Sequence, residues 1–148
     1  ANEPFGSIML KTMGDKVKLV ERLGDYYGDG GLMLLSEEFV NANPNAAKAM
    51  ALAYWEGHQI IREQPEIAIA SLKKWLNLDD ETAKTTRDLC GARPLLTEQT
   101  IEDLKTNADI LSEGDRIRSV PDIDAWMSKG IALQNELLAN PENKALVD

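Results

Sequence analysis

A succession of helix-boundary residues, starting at Ser36 and continuing to Pro121, constrains this chain more than anything else in it. Ser36 stands directly before Glu37-Glu38-Phe39. Its hydroxyl suits a backbone N–H freed in a first helical turn, so a short helix is expected through Asn41. Asn43-Pro44 opens a longer one, with asparagine as cap and proline at the first helical position. Along it Met50, Ala53, Tyr54, Gly57, Ile60 and Ile61 recur at spacings of three and four, which predicts one apolar face. Pro65 ends that helix and begins another, with Ala68, Ile69, Leu72, Trp75 and Leu76 inward. Asp79 caps a third, running to about Cys90. Gly91-Ala92-Arg93-Pro94 then breaks the pattern. Thr97 caps a helix with Ile101, Leu104, Ala108 and Leu111 on one side, and Gly114 ends it. Pro121 starts the last long helix, with Ile123, Trp126, Met127, Ile131 and Leu137 or Leu138 inward. The tail from Asn140 is polar and expected to fray.

The first 36 residues differ in character. Pro4 to Met13 reads as a short helix entered through Glu3-Pro4 and left at Gly14. Val17, Leu19 and Val20 form a short strand-like run. Tyr26-Tyr27-Gly28-Asp29-Gly30-Gly31 is a glycine-rich turn, and Leu32-Met33-Leu34-Leu35 is a continuous apolar run that fits a buried strand. The expected fold class is therefore α/β overall but helix-rich: a few short strands, then a bundle of amphipathic helices. Residues 43–57 and 64–76 look alike, but a repeat array needs at least three units, and the chain offers two ordinary amphipathic helices.

Composition narrows the function classes. With 148 residues, 43% hydrophobic and 28% charged, the chain has the makings of one globular core. Its net charge of −9 repels nucleic-acid phosphates and anionic headgroups, and the densest basic pair is only Lys73-Lys74. Cys90 is the single cysteine, which excludes an intramolecular disulfide and says little about compartment. No stretch approaches the roughly 18 apolar residues of a membrane span.

Candidate chemistry is sparse. His58, the only histidine, sits mid-helix beside Gln59 and Glu56, where a solvent-facing or capping role is the plain expectation. Cys90 beside Gly91 reads as an apolar filler more than as a nucleophile. The acids Glu37-Glu38, Asp79-Asp80-Glu81 and Glu102-Asp103 fall in first or second helical turns, where negative charge complements the helix dipole. A calcium loop from Asp25 fails at Tyr27, where an oxygen ligand is wanted, and at Ser36, where a glutamate is. The glycines lack the Gly-Lys-Ser/Thr ending of a phosphate loop. Tyr26 and Tyr27 suit either a small-molecule pocket or the edge of a core. No enzyme, cofactor or metal site is expected.

The order of these stretches carries a resemblance. Asn2-Glu3-Pro4-Phe5 is followed by Gly28-Asp29-Gly30-Gly31-Leu32-Met33-Leu34-Leu35 and then Ser36-Glu37-Glu38-Phe39-Val40-Asn41-Ala42-Asn43-Pro44. Next come Gln64-Pro65-Glu66-Ile67-Ala68, Leu76-Asn77-Leu78-Asp79, residues 97–111 and Val120-Pro121-Asp122-Ile123. Over about residues 2–127 this resembles the second half of ABC-transporter solute-binding proteins of the nitrate, sulfonate and taurine group, which includes thiamine-precursor-like members. The resemblance implies part of a type II periplasmic-binding-protein fold. Residues 1–24 would end the second lobe, 25–31 would be the crossover or hinge loop, 32–139 the C-terminal part of the first lobe, and 140–148 a tail. It also implies a ligand wall at Asn2, Glu3 and Pro4, with Asn2 standing where the family carries tryptophan. Tyr26 and Tyr27 join them by position at the crossover.

The function so implied is the solute-binding component, or a fragment of one, of an uptake system for a small anion or zwitterion such as nitrate, a sulfonate or taurine. It would act in the periplasm or outside the cell, or anchored to a membrane through a missing N-terminus. Its partners would be an ABC permease and either the missing N-terminal part or a second copy of the chain. The alternative from another class is a helical protein–protein interaction module without a small-molecule ligand. That alternative gains if Trp55, Trp75 and Trp126 are exposed.

Overall fold

In the computed structural model the described residues are 3–21, 31–89 and 93–148. They form helices α1 (Phe5–Met13), α2 (Glu37–Ala42), α3 (Pro44–Glu63), α4 (Pro65–Leu76), α5 (Asp80–Leu89), α6 (Glu98–Glu113), α7 (Ile123–Leu138) and α8 (Pro141–Lys144), with a 3₁₀ turn at Gly14–Lys16. No strand and no sheet occur among the described residues, which overturns the α/β expectation. Neither residues 18–20 nor 31–35 form a backbone ladder with another described segment. β-Propensity is realised only where a neighbouring strand answers the backbone N–H and C=O groups, and here none does.

Most helix boundaries lie where the sequence places them, and the starts of α2, α5 and α6 are each fixed by a local side-chain hydrogen bond, whereas the Asn43 amide expected to cap α3 instead donates back to Phe39 O at 3.3 Å. Ser36 Oγ accepts from Phe39 N at 3.2 Å. Asp79 Oδ1 accepts from Thr82 N at 3.2 Å, and Asp79 Oδ2 from the Thr82 hydroxyl at 2.9 Å. Thr97 and Thr100 close a reciprocal capping box. The start of α7 differs slightly: Asp122, not Pro121, is the cap, its carboxylate accepting from Ala125 N at 3.0 Å. The expected frayed tail is instead helix α8, capped by Asn140, with Leu146 and Val147 packed on a core.

The chain divides into two compact units, with the division falling inside α3. Unit 1 comprises residues 1–22 and 56–92, and unit 2 residues 23–55 and 93–148. In unit 1, α5 packs against α4 and α1. The residues buried there are small or short: Ala68 from α4, and Thr82, Ala83 and Thr86 from α5. Asn77 turns the chain between α4 and α5 in the left-handed conformation that asparagine tolerates better than most residues. The stripe expected on α4 is only half realised: Ala68 is buried, but Trp75 is 76% exposed and Leu76 also faces solvent.

Unit 2 is centred on Trp55, Ala51 and Leu137, with Leu52, Tyr54, Leu95, Leu133, Leu138, Leu146 and Val147 packed around them. The Trp55 indole N–H donates to the Pro94 carbonyl at 3.0 Å, so its one polar atom is satisfied inside. Gln134 on α7 clamps the segment before α6, accepting from Leu96 N at 2.7 Å and donating to Leu96 O at 3.0 Å. A Cβ at Gly130 would stand 3.1 Å from Leu96 Cδ1, so the glycine permits this close approach. The buried face of α3 is Ala47, Ala51 and Trp55. That lies one residue out of phase with the expected stripe, of which Met50, Ala53 and Ile60 are exposed. Alanines lie inward here because the neighbouring chain comes close, a reason that hydrophobicity of single residues does not express.

Candidate functional site

Of the five residues singled out as a ligand wall, Glu3 and Pro4 are described; Asn2, Tyr26 and Tyr27 lie outside the described residues, as does Cys90. Pro4 caps the start of α1, its carbonyl accepting from Ile8 N at 3.0 Å. Glu3 Oε2 accepts from Ser7 N at 3.2 Å, so this carboxylate answers one of the four N–H groups left free at the helix start. Both residues are half-buried. The pair therefore makes a compact acidic corner at the entrance to α1.

The C-terminal half of the same helix enters a polar cluster that the sequence did not signal. Lys11 Nζ lies 2.7 Å from Asp79 Oδ1 and 3.5 Å from Glu81 Oε2, joining α1 to the start of α5. The Lys11 hydrogen bond, and then those from Thr82, hold the Asp79 carboxyl well below the ordinary carboxylate range. In turn the hydrogen bond to Asp79 raises the Lys11 ammonium above its usual value. Lys73 at the end of α4 pairs with Asp80 at 2.5 Å, and that hydrogen bond lowers the Asp80 carboxyl. The acids at 79–81 thus do sit at the cap and first turn of a helix, and all three also pair with lysines from neighbouring helices. Sequence spacing could expose the cap but not partners 68 residues away.

His58 is half-buried within α3, and burial holds its imidazole below the usual histidine value. It lies in the interior of α3 and so caps no helix end. Among the described residues no three His, Cys, Asp or Glu side chains group as a metal ion would require, and no helix is long and apolar enough to cross a membrane.

The tryptophans separate into two kinds. Trp55 is 4% exposed, whereas Trp75 and Trp126 are 76% and 70% exposed, the Trp75 ring carrying the Lys74 ammonium 4.7 Å from its centroid. Phe5, Met9 and Met13, at spacings of four along α1, are also exposed, and α1 buries no residue at all. No protein-family model matches the chain, and no curated protein or solved structure shows significant similarity to it.

Proposed function

We propose that the chain is the solute-binding component of an ABC uptake system, or part of one, for a small anion or zwitterion such as nitrate, a sulfonate or taurine. The observation in its favour is the order of the helix boundaries. Glu3-Pro4 precedes α1, Ser36 α2, Asn43-Pro44 α3, Gln64-Pro65 α4, Asp79 α5 and Thr97 α6, in the sequence in which the resembled family arranges them. On this proposal Glu3 and Pro4 contribute to the ligand wall with Asn2, Tyr26 and Tyr27. The protein performs no chemistry, and an ABC permease at the membrane of a periplasmic or extracellular space receives the solute. The proposal concerns function, and does not extend to a two-lobed α/β architecture for this chain.

Thermal unfolding of the chain with nitrate, taurine, an alkanesulfonate and a pyrimidine precursor tests it. A ligand at a hundred times its Kd stabilises by about 2.7 kcal/mol, or a rise in Tm of roughly 5–10 °C at this size. One of these compounds is expected to give such a shift; no shift with any of them at millimolar concentration removes solute binding by this chain. The exposed Trp75 and Trp126 favour a second reading, a helical module that docks a partner protein. The same titration separates the two, because the module responds to none of the small compounds.

A further inference from the structure

We infer that α1 is the contact surface of a symmetric dimer, in which it packs antiparallel against α1 of a second copy of this chain. The helix is turned the opposite way from an ordinary amphipathic one. Its charged side chain, Lys11, reaches the start of α5 and pairs there with Asp79 and Glu81, while Phe5, Met9, Leu10 and Met13 are exposed. Phe5 is 65% exposed, and no residue of α1 is buried. Phe5, Met9 and Met13 follow one another at intervals of four, so they form one continuous apolar ridge along the helix.

Three observations name a second copy as the occupant. The ridge is complementary to itself about its middle: a two-fold axis through Met9 sets the Phe5 ring against Met13 of the partner subunit, where a flexible thioether adapts to a rigid aromatic. The two ends of the helix also carry opposite charge. Glu3 stands at its start, and Lys16 and Lys18 outweigh Asp15 beyond its end. Antiparallel packing brings each Glu3 towards the lysines of the other copy and opposes the two helix dipoles. Finally, unit 1 repels its like less than unit 2 does, with nine basic residues against ten acidic where unit 2 has seven against fifteen. An anionic membrane, by contrast, meets the whole net charge of −9. Each copy supplies only four apolar side chains, so the dimer is weak and reversible. It requires no ligand and stands apart from solute binding.

Sedimentation equilibrium of the full chain from about 1 μM to about 1 mM tests this. The mass is expected to rise from 16.4 kDa towards twice that value. Phe5→Glu places an acid in the first turn, where the helix dipole favours it, and should raise the dimer Kd about tenfold or more. Trp126→Glu adds the same charge at an exposed tryptophan of α7 and should leave the Kd within about twofold. Circular dichroism confirms that the helices persist in both variants. Disulfide trapping in a Cys90→Ser background supplies the geometry. Met9→Cys should oxidise to a covalent dimer, whereas Phe5→Cys and Met13→Cys should each stay monomeric alone and form a mixed dimer together. A monomer at every concentration overturns the inference, whether α1 is then covered by the chain's own residues, by phosphatidylcholine vesicles or by another protein. So does a dimer that Phe5→Glu leaves intact, one that Trp126→Glu weakens equally, or one in which Phe5→Cys pairs with itself.

Discussion

Units 1 and 2 are built from one polypeptide, yet they reach their folded form by different means. Unit 1 has nine basic against ten acidic residues and unit 2 seven against fifteen, which together make the net −9. Among its described residues unit 1 fully buries only alanines and threonines, and it joins its helices through Lys11–Asp79 and Lys73–Asp80. Unit 2 buries Trp55, Ile123 and Leu137 besides alanines, and adds the Trp55–Pro94 and Gln134–Leu96 hydrogen bonds. Apolar burial stabilises in proportion to area, whereas exposed ion pairs contribute little and are screened by salt. Ion pairs join helices in both units, as Lys48–Glu136 and Lys105–Asp124 do in unit 2, so the difference teaches that unit 2 has a large buried aromatic to lose where unit 1 fully buries only small residues among those described.

The largest effect is expected from removing the centre of unit 2. Trp55→Ala leaves a cavity between α3, α7 and the segment before α6, and strands the Pro94 carbonyl without its donor. A loss of about 3–5 kcal/mol follows for a large aromatic in such a place. Measured by amide exchange, the protection of α7 should fall by two to three orders of magnitude, with α4 and α5 much less affected. If α4 and α5 lose protection to the same degree, the two units unfold as one body and the contrast between them disappears.

A smaller effect tests whether unit 2 also depends on local signals. Thr97→Ala removes the half of the box in which Thr97 Oγ1 accepts from Thr100 N, keeps the half in which its backbone N–H donates to Thr100 Oγ1, and should cost about 1 kcal/mol. Thr97→Ser keeps the oxygen and should recover most of it. Equal losses in the two variants would assign the effect to the threonine methyl, and so to packing.

What the sequence made legible follows the same divide between local and distant causes. Ser36, Asp79 and Thr97 act on N–H groups three residues ahead, so their roles can be read from spacing alone. The inward face of α3 could not be read so, because Ala47 and Ala51 are buried by the approach of other segments and not by their own hydrophobicity. Trp75 and Trp126 were placed inward on apolar pattern and are exposed, since a pattern gives one side of a helix but not what covers it. The two strand-like runs misled for the opposite reason: their propensity is plain, and nothing in the described chain pairs with them. Of the candidate site, Glu3-Pro4 was visible as a helix entrance, but the Lys11–Asp79 partnership was not, its members being far apart in sequence.

That partnership gives the smallest and most specific prediction, on unit 1. Because the folded state holds the Asp79 carboxyl below its unfolded value, near 3.9, its contribution is complete above that pH and declines as pH falls beneath it. Lys11 is raised in the folded state, so its share is complete below its unfolded value, near 10.4, and declines as pH climbs above it. Between those limits both charges stand, and α1 stays tied to α5. Acidification from pH 6 should therefore begin to loosen α1 near pH 4 and release it only well below pH 3, raising its amide exchange before that of α7 changes, and added salt should weaken the Lys11 pairing at pH 6. In Asp79→Asn the asparagine oxygen can still cap Thr82 N, but Lys11 loses its 2.7 Å partner and keeps only Glu81 at 3.5 Å. The variant should show faster α1 exchange at pH 6 and little further change on acidification. An acid response in α1 that survives Asp79→Asn would assign it to another carboxylate, Glu81 beside Lys11 first, whereas slow α1 exchange in the variant at every pH would place the attachment of α1 in its apolar contacts.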